Sequence, residues 1–173
     1  LLELYKKVDS LPCIKKSFIG SGVRYDMLLH RSGDKRLDEA ADRYTEELIR
    51  KHVSGRLKVA PEHTCDNVLR LMRKPPFRQF HEFKRIFDKI NSREGLKQQI
   101  IPYFISSHPG STLENMAELA TETKQLNFHL EQVQDFTPTP MTMATEMYYT
   151  GINPETGEEI YVARSMKDKE VQR

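Results

Sequence analysis

Ile101 to Met116 constrains the fold of this chain more than any other stretch; it reads IPYFISSHPGSTLENM. A run rich in β-branched and aromatic side chains, which suit a pleated and half-buried surface, stops at Ser106-Ser107-His108. A turn at Pro109-Gly110 follows, and Ser111-Thr112-Leu113-Glu114 opens a helix. The Ser111-x-x-Glu114 spacing predicts a capping box, in which each side chain satisfies a backbone N–H that the new helix leaves unpaired. Strand, glycine turn and capped helix make a βα unit. Its small polar residues stand at the carboxyl end of the strand, where α/β folds place their ligands. Pro102 cannot donate to a central ladder, so it is expected at the strand's first residue.

The rest of the chain repeats this unit. Leu1 to Val8 is apolar at Leu1, Leu4, Tyr5 and Val8, the stripe of an amphipathic helix ended by Leu11-Pro12. Ile14 to Ile19 is the first expected strand, closed by Gly20-Ser21-Gly22, and Tyr25 to Leu29 is a helical turn. A helix follows with Leu37, Ala40, Ala41, Tyr44 and Leu48 on one face, broken at Gly55. Arg56 to Ala60 is a second strand, and Pro61-Glu62-His63 follows it directly. Thr64 is placed to cap a helix carrying Val68, Leu69 and Met72, which Lys74-Pro75-Pro76 stops. Arg78 to Ile90 is a helix with Phe80, Phe83, Phe87 and Ile90 as its apolar stripe.

After the βα unit, whose helix is expected to bury Leu113, Met116, Ala117 and Ala120, Leu130 to Phe136 reads as a fourth strand. Both of its faces mix polar and apolar residues, which suits an edge or a wet cavity. Thr137-Pro138-Thr139-Pro140 is a rigid loop, and Tyr148 to Val162 holds two β-leaning pieces around Asn153-Pro154-Glu155-Thr156-Gly157, a hairpin signal. The tail from Ser165 is charged and expected to be mobile. Strands separated by helices imply parallel strands with right-handed crossovers. The fold class is therefore α/β, a partial (βα) barrel of four parallel strands plus a hairpin. Residues 1–140 form the barrel segment, 141–164 the hairpin extension and 165–173 the tail.

Length and composition exclude several classes. A chain of 173 residues buries ~70% of its unfolded surface as one domain. Its net charge of +2 comes from dispersed residues, so nothing points to nucleic acid or an anionic membrane. No apolar run nears the ~20 residues needed to span a bilayer. Two cysteines, Cys13 and Cys65, make no disulfide framework, which favours a reducing, cytoplasmic setting. The chain opens without Met, already inside a helical pattern, and reads as a piece of a longer protein.

Four strand ends are expected on one rim: Ser21 with Arg24 and Tyr25; Glu62, His63 and Thr64; Ser106, Ser107, His108 and Gly110; Asp135, Thr137 and Thr139. Each has a structural reading beside the functional one. His63 is as readily a helix cap as a ligand contact, and His108 as readily a turn histidine. Gly110 would let a phosphate approach the helix N-terminus, but a glycine in a βα turn usually serves the turn alone. His63 and Cys65 have no second pair at zinc-finger spacing. No P-loop, G-x-S-x-G or H-E-x-x-H occurs.

Four segments at these strand ends carry a family likeness: Phe18 to Asp26, Leu57 to Thr64, Pro102 to Gly110 and Gln132 to Pro140. With Tyr148 to Gly151 and Thr156 to Glu158 behind them, they resemble the YgiQ family of radical S-adenosylmethionine (SAM) proteins over nearly the whole chain. The resemblance implies a six-stranded open βα barrel in which three cysteines after the first strand hold a [4Fe-4S] cluster. Reduced, that cluster cleaves SAM so that hydrogen is abstracted from a substrate; the cofactors do the hard chemistry and the protein orients them. The cysteine motif and the first two strands are absent from these residues. The chain thus corresponds to the last four strands of such a barrel and its hairpin, with no metal ligand of its own.

By position, Glu62 and His63 match the strand end that holds the SAM ribose. Tyr103, Ile105, Ser106, Ser107 and Gly110 match the strand and turn at the adenosine, and Phe136 and Thr137 the backbone at the adenine. Ser21, Arg24, His108 and Asp135 would line the substrate cavity. The implied function is a fragment of a radical SAM enzyme that is inactive alone, binds no cofactor by itself, and has the missing N-terminal half of the same protein as its partner. The substrate, small molecule or macromolecule, is not named by the resemblance. The alternative is a binding module for a phosphorylated small molecule, using the Gly110 turn and the helix from Ser111. An exposed strand edge would also invite self-association.

Overall fold

From Arg56 to Glu62 exposed and inward residues alternate, with Leu57, Val59 and Pro61 buried, as a strand with one covered face requires. This is β1 (Arg56–Glu62) in a computed structural model that describes residues 1–128 and 133–172. Chain order is α1 (Leu2–Asp9), α2 (Tyr25–Leu29), α3 (Lys35–Lys51), β1, α4 (Asp66–Leu71), α5 (Arg78–Glu94), β2 (Gln99–Ser106), α6 (Leu113–Gln125), β3 (Val133–Asp135), α7 (Met143–Thr150) and α8 (Met166–Val171). The strands form an open parallel sheet in the order β1-β2-β3, as the alternation of strands and helices requires. Phe104, Ile105 and Ser106 pair with Val133, Gln134 and Asp135.

The chain divides into two compact units, Leu1–Val59 with Arg78–Ile101, and Ala60–Phe77 with Pro102–Arg173. In the first, α2, α3 and α5 pack together. The α5 stripe is core: Phe80, Phe83, Phe87 and Ile90 are all buried, and Tyr25 meets Phe80 and Phe83 at 5.8 Å each. Full burial of each phenylalanine contributes about 2–3 kcal/mol. At the end of α3, Tyr5 stacks on His52 at 4.0 Å, and His52 Nδ1 lies 2.9 Å from the Ser17 carbonyl. The second unit joins α4, α6, α7 and α8 to the carboxyl halves of β1 and β2 and to β3.

Several expectations need correction. Ile14 to Ile19 is not a strand: Lys15 and Lys16 leave neither face with a run of alternate apolar residues, and its backbone amides bond a turn and a helix end, Ile14 N–H to Leu11 O at 3.0 Å and Ile19 N–H to His52 O at 2.8 Å. The parallel pairing survives as one bridge, Val23 with Val59. Pro102 lies inside β2 rather than at its start. Phe136 N–H bonds Ser106 O, so even-numbered β2 residues face β3. The ring nitrogen of Pro102 therefore points beside β3 two residues before its first described pair, Phe104 with Val133, and interrupts no described ladder bond. Leu130 to Gln132 of the fourth expected strand lie outside the described residues; Val133–Asp135, within it, is strand.

Leu37 and Leu113 are exposed, at 61% and 49%. The buried faces are Thr45, Leu48 and Ile49 on α3 and Met116, Leu119 and Thr123 on α6, so Ala117 and Ala120 also face outward. Tyr148 lies in a helix, not a hairpin arm. Thr142 caps α7 at its start and Gly151, at φ +72°, ends it, so both terminal signals agree against the β-lean of Tyr148-Tyr149. Beyond it, only Ile152 and Glu159 bridge antiparallel around the 153–157 turn. The 165–172 tail is helix α8, closed by a Ser165/Asp168 capping box and ending on the buried Gln172.

Candidate functional site

All three strands end on polar residues, and in the second unit the two longer strands end under strain. Glu62, the last residue of β1, has φ +70°, and Ser107, just past β2, has φ +58°. Left-handed backbone costs a residue with a Cβ about 1 kcal/mol or more, and it concentrates where a side chain must be aimed. Glu62 is aimed at Lys74, with Nζ 3.0 Å from its carboxylate. Beside it opens a cavity of about 530 Å³, within the range of small-molecule sites. Its polar wall includes Glu62, Lys74, Arg73, His108 and Asp135, and its apolar wall includes Leu71, Ile105, Phe136 and Met143. Arg73 also pairs with Glu155.

Behind this wall the sequence-selected residues serve one another. Ser106, fully buried, donates its Oγ–H to Asp135 Oδ1 at 2.6 Å, a charge-assisted bond across the β2–β3 register pair. His63, also fully buried, accepts the backbone N–H of Thr64 and of Cys65 on Nδ1, both at 3.0 Å. Nδ1 is thus the acceptor and Nε2 carries the proton, 3.4 Å from Ser111 Oγ. Burial, with the nearby His108 charge second, pushes its pKa down to about 4. His108 lies edge-on to Phe136 at 5.0 Å and donates Nδ1–H to the Pro109 carbonyl at 2.8 Å, leaving Nε2 as its acceptor. Burial lowers its pKa as well, so both rings are neutral at pH 7.

Of the positions expected from the sequence, Glu62, Ile105, His108, Asp135, Phe136 and Thr137 line the cavity. His63 and Ser106 stand behind it as supports, and Tyr103 is half-buried on β2. Ser107 gives its N–H to Gln172 Oε1 at 3.0 Å, while its Oγ is buried with no partner among the described residues. Ser21 and Arg24 sit in the first unit, Ser21 exposed and Arg24 bound to Asp26 through two guanidinium nitrogens, Nε and Nη2.

The capping box falls one residue later than expected. Thr112 and Asn115 form it, because the turn runs through Gly110 and Ser111 and buries Ser111 completely. Gly110 N–H goes to Tyr161 O, Ser111 N–H to His108 O and Thr112 N–H to Asn115 Oδ1. These three amides are spent on the fold and are not offered to a phosphate at the Gly110 turn. Sequence reasoning also missed Lys74 and Arg73, whose signal was the charged pair before Pro75-Pro76, and Gln172, for which no local signal existed.

The cysteines do not fit a cluster. Cys13 is exposed; Cys65 is buried, and its thiol donates toward Glu118 Oε2 at 3.3 Å. Burial, helped by that carboxylate, pushes the thiol up to about 11, far from the thiolate that iron needs. Among the described residues no group of three His, Cys, Asp or Glu side chains converges on a metal position. No helix among them is long and apolar enough to cross a membrane.

Comparison with known proteins finds strong sequence similarity along the whole chain. It is 66% identical over 169 residues to a UPF0313 protein of Porphyromonas gingivalis, covering 98% of this chain and 27% of that protein. A UPF0313 protein of Bacteroides thetaiotaomicron is 64% identical over 173 residues, 100% of this chain and 28% of the relative. One from Clostridium perfringens is 49% identical over 172 residues, 99% and 25%. The chain spans about a quarter of the length of these curated relatives. Residues 131–173 match a family model described as a domain of unknown function, DUF3362. No solved structure matches significantly.

Proposed function

We propose that the chain is a segment of a UPF0313 protein of the radical SAM class, supplying one wall of the adenosyl site and the adjoining substrate cavity. The UPF0313 relatives and the YgiQ resemblance designate the same family, which supports the reading. The observation that carries it is the cavity at the carboxyl ends of parallel strands. Glu62 and Asp135 offer acceptors for hydroxyl or amino donors, and Ile105 and Phe136 offer apolar surface to a planar base. Its volume suits a nucleoside-sized group. When bound, SAM and a [4Fe-4S] cluster would supply radical hydrogen abstraction; the cluster's ligands lie outside this chain, because neither Cys13 nor Cys65 fits that role.

In this reading each residue has a positional task. Lys74 holds the Glu62 carboxylate toward the cavity, and Ser106 holds Asp135. Neutral His108 presents an acceptor without adding charge, and Phe136 packs against it to exclude water. The segment is inactive alone, and its partner is the remainder of the same protein. The test is full-length protein reconstituted anaerobically with iron and sulfide, reduced, and assayed for SAM cleavage to methionine and 5′-deoxyadenosine. Cleavage, weakened tenfold or more by Asp135→Asn or Glu62→Gln, supports the assignment. A full-length protein that never assembles a cluster refutes the enzyme class.

A further inference from the structure

We propose that α8 is a strap whose Gln172 carboxamide positions the turn between β2 and α6, so that the cavity wall at His108 and Phe136 is set while the strap is seated. The role rests on reading that cavity as the ligand site. Met166 and Val171 of α8 are 68% and 55% exposed, and no residue of the helix is buried. The one buried side chain of residues 165–172 is the polar Gln172, 2% exposed. Its Oε1 accepts the Ser107 N–H at 3.0 Å and its Nε2 donates to the Ser111 carbonyl at 2.9 Å. Those two backbone groups bracket His108.

A second grip reaches the same wall. Lys169 Nζ lies 5.4 Å from the centre of the Tyr148 ring and 3.4 Å from its hydroxyl. Tyr148 meets Phe136 at 5.8 Å, and Phe136 meets His108 at 5.0 Å. Both routes from α8 therefore end on side chains that line the cavity.

The turn itself is held rather than relaxed. Ser107 is left-handed and its fully buried Oγ has no partner among the described residues. A buried carboxamide is costly unless both halves are bonded, and here both are. A six-residue helix does not persist in water without tertiary contacts, and α8 offers few, so it should open locally without the sheet. Thermodynamic linkage then requires that a ligand favouring the seated wall also favours the seated strap. Gln172 is thus a positioning residue, acting through the turn.

Hydrogen–deuterium exchange by mass spectrometry on the full-length protein tests this, with S-adenosylhomocysteine as the probe. Amides of 167–172 should exchange at least tenfold faster than those of β2. Gln172→Ala should speed exchange of the Ser107 amide tenfold or more, and Gln172→Glu, which keeps the acceptor and loses the donor, by less. The probe should slow α8 exchange in the wild type but not in Gln172→Ala, whose Kd for it should rise three- to tenfold. Exchange of α8 as slow as that of β2, or a Ser107 amide unchanged in Gln172→Ala, overturns the strap. A bound probe with equal Kd in both proteins overturns its role at the cavity. A wild-type protein that does not bind the probe refutes the adenosyl reading instead, while the ligand-free Ser107 comparison still decides the strap.

Discussion

Acidification should strain the second unit at one ring, His63. Its Nδ1 faces two backbone N–H donors at 3.0 Å, so a proton added there meets two donors and no acceptor. The folded pKa of about 4 lies below the unfolded 6.5, so the unfolded chain takes up the proton first. Stability from this residue is complete above pH 6.5 and is lost as pH falls toward 4. One proton over that interval amounts to about 2 kcal/mol by pH 5 and about 3 kcal/mol by pH 4. His63→Asn supplies the isolating variant, because an asparagine Oδ1 can accept the same two amides without titrating. It loses ring packing at every pH, so it starts less stable. The assay is urea unfolding of the full-length protein and of the variant at steps from pH 7.5 to 4.5. The wild type should lose about 2.5 kcal/mol more than His63→Asn over that range. Parallel curves would refute the reasoning: His63 would then not be held neutral by its burial.

Three further outcomes follow. Gly110 has φ +86°, and a Cβ there would lie 2.1 Å from Leu71 Cδ1, so Gly110→Ala should cost about 2–4 kcal/mol by urea midpoint. Gly157→Ala, at φ +74° with nothing within 4 Å, should cost about 1 kcal/mol and so serves as its control. Asp135→Asn replaces a charge-assisted bond from Ser106 and should destabilise by about 1.5–3 kcal/mol, read in the same experiment. Iodoacetamide at pH 8, followed by peptide mapping, should label the exposed Cys13 in native protein and reach Cys65 only on unfolding, since Cys65 is buried and its pKa is about 11.

The legible parts of this chain are those in which local pattern and tertiary burial agree. The α5 stripe of Phe80, Phe83, Phe87 and Ile90 needed only helical period, and the order strand–helix–strand needed only connection rules. Glu62 and Asp135 were visible because a polar residue at the end of a parallel strand faces the rim wherever the strand ends. Position along a helix was less visible: Leu37 and Leu113 fit their stripes by spacing, yet burial shifted by a fraction of a turn toward Thr45 and Thr123, whose hydroxyls bond backward to Ala41 and Leu119. The capping box slipped by one residue because Ser111 and Thr112 are chemically equivalent caps. What separates them is the space under His63, a contact across 48 residues. Gln172 marks the limit of such reading. A glutamine at the end of a charged segment has the composition of a solvated tail. Its importance comes from a donor and an acceptor exposed by a strained turn more than 60 residues earlier, at separations of 65 and 61. No local rule could have joined them, because the turn's unmet groups exist only once Ser107 adopts its left-handed conformation. The site's supports are therefore written in the fold, while the residues that face the ligand are written in the strand ends.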